Sequence, residues 1–173
     1  YEKRLLLKQA VFHYDRVQLK DYEWQGLKQS LQNKTILLRS EQGLGDTIQF
    51  CRYVSVLSEM GAKVILEVQP PLLNLLKNVE GLSQIISLGQ PVPAFDYYCN
   101  LMSLPFLMET SIDSIPNKMP YLFAEIDKVE HWRKKLGPKI GKRVGLVWSG
   151  GFRPDQPELW PINKRRKIGR AHV

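Results

Sequence analysis

Cysteine and histidine are scarce in this chain: its 173 residues include two of the former and three of the latter. Cys51 and Cys99 form no CxxC pair and lie inside apolar segments. That excludes a disulfide framework and predicts buried thiols in a reducing, cytoplasmic setting. His13, His131 and His172 share no metal-ligand spacing, so no metal site is expected. Long hydrophobic runs are missing as well. None approaches the ~20 residues that span a bilayer, and no transmembrane segment is expected. An initiator methionine is absent, position 1 being Tyr, so the chain reads as an open-ended piece of a longer protein.

Acidic residues are absent from the C-terminal end, where Lys164, Arg165, Arg166, Lys167 and Arg170 stand together. The formal net charge of +8 is therefore local, and discounting these five leaves +3. With no basic stripe interleaved with aromatics elsewhere, no nucleic-acid partner is expected. Reverse translation of Ile168–Val173 matches the opening of a common short-read sequencing adapter. Residues 168–173 are accordingly expected to be an artefact.

What is present is a hydrophobic fraction of 43%, enough for a packed core. Residues 1–33 carry Leu5, Leu6, Ala10, Val11, Tyr14 and Val17 at helical spacing, followed by a polar connector. They read as a helical segment outside the main domain. From Lys34 the pattern alternates. Thr35–Ser40, Lys63–Val68, Gln84–Leu88 and Ala94–Cys99 have strand character, and Asp46–Met60 carries a helical stripe of Phe50, Tyr53, Val54, Leu57 and Met60. Pro70 and Pro71 open a further helix, where a missing N–H does no harm. Continuous apolar strands in βαβαβ order predict a Rossmann-like α/β domain over 34–120, a parallel sheet with helices on both faces. A linker helix is expected over Ile126–Leu136, within 121–142. Arg143–Ser149 reads as the first strand of a second α/β domain, whose start occupies 143–167.

The segment Glu41-Gln-Gly-Leu-Gly-Asp46 joins the first strand to the first helix, at the sheet edge where open α/β folds bind ligands. Gly43 and Gly45 suit a tight turn, and Asp46 with Gln49 makes a capping-box-like helix start. Two nucleotide signatures fail on detail. A dinucleotide fingerprint requires Gly or Ala where Ile48 stands, and a P-loop requires Lys where Asp46 stands. An acidic residue at the helix start would also repel a phosphate.

Taken together, Lys34-Thr-Ile-Leu-Leu38, Glu41–Asp46, Val64-Ile-Leu-Glu-Val-Gln-Pro-Pro71, Leu101-Met-Ser-Leu-Pro105, Ile115-Pro116, Pro120-Tyr-Leu122 and Val144-Gly-Leu-Val-Trp-Ser149 resemble the heptosyltransferase-like (family 9-like) glycosyltransferases. The likeness is closest to a bacterial subgroup in which the catalytic region follows tetratricopeptide repeats, and it spans Lys34–Gly150. Protein O-linked N-acetylglucosamine transferases are similar in joining such repeats to a transferase. The resemblance implies a GT-B fold, two Rossmann-like domains facing across a cleft, with residues 1–33 as the possible end of a repeat array that meets protein partners. It implies metal-independent, inverting transfer of a sugar from a nucleotide-sugar donor to a hydroxyl on a glycan or protein. No cofactor is implied beyond the donor substrate. One departure is that Gln49-Phe-Cys-Arg52 continues where lipopolysaccharide heptosyltransferases carry a Pro, which separates this chain from a heptose substrate.

Such a reaction needs a base for the acceptor hydroxyl. The resemblance assigns that role to Asp46; a helix cap is the competing reading, and the two are compatible. Gln42, Gly43, Gly45 and Glu41 would contact the acceptor, with plain surface solvation competing for Glu41. Trp148, Ser149, Gly150, Arg153 and Arg166 would contact the donor, since Arg suits a diphosphate; a solvated loop charge competes for each Arg. Asp96, near a strand end, reads as structural. Two other classes compete: a non-catalytic interaction scaffold with a degenerate transferase domain, and a nucleotide-cofactor oxidoreductase using Glu67 as its ribose-binding acid. The fragment alone is expected to be inactive.

Overall fold

The computed structural model describes residues 19–146. Residues 1–18 of the helical segment expected over 1–33, and everything from Val147 onward, lie outside this range. The chain divides into two units at Glu125/Ile126.

The first unit is built on a four-stranded, wholly parallel sheet in the order β3-β2-β1-β4. Its strands are β1 (Thr35–Arg39), β2 (Lys63–Val68), β3 (Leu82–Ser87) and β4 (Tyr97–Asn100). β1 is Thr-Ile-Leu-Leu-Arg and β2 is Lys-Val-Ile-Leu-Glu-Val; interior Ile36–Leu38 and Val64–Leu66 are buried on both faces, as a central parallel strand requires. On one face Ile36, Leu38, Val64, Leu66 and Cys99 pack with side chains from the helices. On the other, Leu37, Ile65, Ile86 and Tyr98 are met by Leu19 and Phe95. The α/β class read from the strand order is the one observed.

The connections follow from local chemistry. Instead of one helix over Asp46–Met60 there are two, α1 (Leu44–Phe50) and α2 (Tyr53–Glu59). At the break the ladder tightens, with Val54 N–H bonding Cys51 O at 3.0 Å. Side chains take carbonyls near the junction: Arg52 Nε–H donates to Gln49 O at 2.8 Å and Cys51 Sγ to Ile48 O at 3.1 Å. Such competition by side chains breaks a helix without proline. The expected apolar stripe survives it, because Tyr53, Val54 and Leu57 are all buried. After β2, Pro70–Leu72 forms a 3-10 turn that leads into α3 (Leu73–Leu76). After β4, a turn at Leu101–Ser103 leads into α4 (Leu104–Leu107).

The connector before β1 belongs to this domain rather than lying outside it. Trp24 and Leu31 are each 1% exposed and sit in the main core. Trp24 is anchored through its backbone N–H to Tyr98 O at 2.9 Å and its indole N–H to Gln29 O at 3.1 Å. Gly26 makes this approach feasible. It holds φ +80°, and a Cβ there would lie 2.5 Å from the Leu107 carbonyl oxygen.

The second unit, within the described residues, is α5 (Ile126–Leu136) and the segment that follows. Its last turn carries Arg133, Lys134 and Lys135, favourable against the helix dipole. Gly137 ends it at φ +64°, its N–H bonding Arg133 O at 3.1 Å. Arg143 then donates to the Leu136 and Gly137 carbonyls at 3.2 and 2.7 Å. Arg143–Leu146 forms no strand, and the remainder of the strand expected over Arg143–Ser149 lies outside the described residues. Among the described residues no helix is long and apolar enough to cross a membrane.

Candidate functional site

The buried polar and charged side chains of the described residues are not scattered. Ser40, Glu41, Thr47, Glu67, Ser87, Asn100 and Ser103 all fall at or just beyond the carboxyl ends of the strands. β1 is followed on one side by β2 and β3, while β4 lies on its other side. The connections therefore diverge between β1 and β4, the crevice position where doubly wound sheets take ligands.

Register builds this edge. Arg39 stands opposite Glu67 on β2 and opposite Asn100 on β4. Arg39 Nε–H donates to Glu67 Oε2, and the pair is well shielded, with side chains 15% and 2% exposed. Breaking such a pair strands a buried charge, which costs about 3–5 kcal/mol. Tyr98 O–H donates to Asn100 Oδ1 at 2.7 Å. Burial pushes the Tyr98 phenol well above its ordinary pKa, an effect the Arg39 charge partly offsets, so the group stays a neutral donor. Ser40 continues β1 through a backbone bond to Glu67 O at 3.0 Å. Its Oγ is buried without a hydrogen-bond partner among the described residues.

The loop from Glu41 to Asp46 leaves this edge. Glu41 is 6% exposed, so the surface-solvation reading of that carboxylate is overturned: the end of β1 carries it inward. Gln42, Gly43 and Gly45 are exposed. α1 starts at Leu44 with Gly43 as N-cap, two residues earlier than its sequence suggests. Asp46 is therefore not the cap but the third helical residue, and its Oδ2 accepts the Gly43 N–H at 3.0 Å. Its Oδ1 makes no hydrogen bond among the described residues, and the side chain is half-buried. The tight-turn account of the glycines needs correction. Gly43 sits at φ −65° and Gly45 also avoids the left-handed region, so neither conformation requires glycine.

Sequence reading missed the brace of this loop. Gln69 follows β2; its Nε2–H donates to Gln42 O at 2.6 Å and its Oε1 accepts from Thr47 Oγ1 at 3.0 Å. The only local signal was a polar residue between an apolar strand and Pro70-Pro71. Arg52 donates to Pro116 O at 3.0 Å and to Tyr121 OH at 3.4 Å, and so ties the segment before the unit boundary to the α1–α2 junction.

Other candidates resolve differently. Asp96 lies at the opposite end of β1, accepting the Thr35 N–H at 2.8 Å and pairing with Lys34 at 3.1 Å. The Thr35 bond, then Lys34, holds its carboxyl below the usual carboxylate range, so its role is structural. Glu67 is committed to Arg39 rather than presented to a ribose. Cys51 and Cys99 are free and buried. Among the described residues no group of three or more His, Cys, Asp or Glu could hold a metal ion. Trp148, Ser149, Gly150, Arg153 and Arg166 lie outside the described residues.

Fold and edge together define a Rossmann-like parallel α/β protein with a cluster of buried polar side chains at its β1/β4 switch point. No family model and no solved structure matches the sequence. Among curated proteins it is similar to Protein FlbA of Caulobacter vibrioides, 28% identical over 171 residues that cover 86% of this chain and 28% of that protein. The chain thus spans well under a third of its relative's length.

Proposed function

We propose that this chain carries the acceptor half of an inverting glycosyltransferase, with Asp46 as the base. The observation that supports this most is the state of that carboxylate. Oδ2 is tied back to Gly43 N–H, fixing its direction, while Oδ1 accepts no bond among the described residues. A carboxylate oriented through one oxygen and unengaged at the other is suited to general-base work. Oδ1 would take the proton of an acceptor hydroxyl as that oxygen bonds to the anomeric carbon. The bond from that carbon to the donor phosphate breaks on the opposite side, and the nucleoside diphosphate leaves. Charge supports a neutral acceptor over a phosphorylated one: Glu41, Asp46 and Glu67 gather at this edge against Arg39. The donor would be held by the continuation of the chain, with Trp148, Ser149, Gly150, Arg153 and Arg166 as its contacts.

The test uses a longer protein that carries this chain and a second α/β domain. It would be assayed with a panel of nucleotide sugars, following nucleoside diphosphate release, beside Asp46→Asn. A loss of about 10²–10⁴-fold is expected for the variant. An undiminished variant removes Asp46 from the base role. A protein inert toward every donor would leave the interaction-scaffold reading in its place.

A further inference from the structure

The loop that carries Asp46 is short, glycine-bearing and exposed at Gln42, Gly43 and Gly45. Within it Gly43 N–H bonds Asp46 Oδ2 and Thr47 N–H bonds Gly43 O, bonds that join the segment to itself and not to the sheet. Something outside the loop fixes it, and the contacts identify the side chain. Gln69 touches the loop at both ends. Its amide N–H donates to the Gln42 carbonyl, ahead of the turn, at 2.6 Å. Its amide oxygen accepts from Thr47 Oγ1, one residue past Asp46, at 3.0 Å. Thr47 Oγ1 also lies 3.3 Å from Gly43 O, and Thr47 N–H bonds the same carbonyl at 3.2 Å.

Gln69 is itself pre-set. Pro70 restricts the preceding residue to extended backbone, and Gln69 has φ −61° and ψ 141°. Leu72 N–H closes on its carbonyl at 2.9 Å. Behind it, β2 is paired on both sides, with β1 and with β3. The amide therefore projects from a rigid base and uses its donor and its acceptor on the two ends of one loop. A glutamate could not make the first bond and a leucine could make neither.

We infer that Gln69 is the positioning residue of the site: by clamping Gln42 and Thr47 it fixes the direction of the Asp46 carboxylate. The catalytic consequence rests on the transferase reading above, while the clamp itself can be tested without it. Displacing a reacting group by about 1 Å can cost on the order of 10² in rate, so the effect belongs in turnover rather than in fold stability.

Amide hydrogen exchange of this chain tests the clamp, with Gly43 N–H and Thr47 N–H as probes because both are bonded within the loop. Gln69→Leu should speed their exchange about tenfold, the equivalent of losing one to two modest hydrogen bonds, with β1 and β2 amides unchanged. Gln69→Glu should loosen Gly43 more than Thr47. Thr47→Val gives a second route should the Leu variant fold poorly. In the longer protein, kcat should fall at least tenfold with KM little changed. In an Asp46→Asn background, Gln69→Leu should cost nothing further, because the amide acts through that carboxylate; a merely structural role would lower the residual rate as well. Unchanged exchange at both probes overturns the clamp. Faster exchange with unchanged kcat, or a full additional loss in the Asn background, overturns the positioning role. A wild-type protein with no transfer activity defeats the transferase reading and with it the catalytic role, and the exchange data then decide the clamp alone.

Discussion

Gly45→Ala separates what the fold needs from what a ligand needs. Gly45 lies in the first turn of α1, and a Cβ built on it meets nothing within 4 Å. Its φ is not in the left-handed region, so alanine adopts the same backbone without strain. Glycine in a helix is about 0.5–1 kcal/mol less favourable than alanine, through the backbone freedom it loses on folding. With no steric term to set against that gain, the substitution should stabilise the protein by up to ~1 kcal/mol. For a chain of this size that is a rise of about 2–4 °C in Tm, readable by calorimetry or by circular dichroism at 222 nm. The open space around that Cβ is also where an acceptor would approach the loop. Transfer by the longer protein should therefore fall as stability rises. A destabilised Gly45→Ala would refute the helical placement of this residue. A stabilised variant with undiminished transfer would remove Gly45 from the acceptor contacts.

Gly26→Ala should behave in the opposite way, losing several kcal/mol, because a left-handed backbone and a clash with the Leu107 carbonyl oxygen combine there; a Tm within a degree of wild type would contradict the packing of the connector. Glu67→Ala should cost up to about 3–5 kcal/mol by removing the buried carboxylate paired with Arg39, whereas Glu80→Ala, which breaks the exposed ion pair with Lys118, should leave the urea midpoint where it was. Equal effects from the two would deny the buried pair its weight. Burial pushes the Cys51 thiol from 9.0 up to about 12, with Arg52 partly opposing. The unfolded thiol therefore ionises first, and between those values stability falls by ~1.4 kcal/mol per pH unit from this group. Denaturation of wild type and Cys51→Ala across that range should show the steeper pH slope in wild type, and parallel slopes would rule the burial effect out.

Much of the framework was legible because it is local. The apolar runs Ile36–Leu38 and Val64–Leu66 announce strands buried on both faces, and the stripe of Tyr53, Val54 and Leu57 announces a helix against them. Pro70 and Pro71 mark a helical start by their own geometry, although the α-helix there runs only over Leu73–Leu76 after a 3-10 turn. The α1–α2 break was not legible, since nothing in helical periodicity records that Arg52 and Cys51 will take carbonyls beside the junction. Neither was the membership of Trp24 and Leu31 in the core, which depends on Gly26 meeting the backbone of Leu107, far downstream in the chain.

The site divides the same way. By itself the sequence determined that a Gly-Leu-Gly-Asp segment joins the first strand to a helix, and so which edge of the sheet holds the candidate site. Only the tertiary structure decided that Glu41 turns inward, that Arg39 meets Glu67 and faces Asn100, and that Gln69 holds the loop of Asp46. Each of those pairings joins residues brought together by strand register, 28 positions apart for Arg39 and Glu67 and 27 for Gln42 and Gln69. Hydrophobic periodicity sets which face a side chain occupies. Which distant partner it meets there is fixed only when the strands align, because one step of register sends every side chain to the other face.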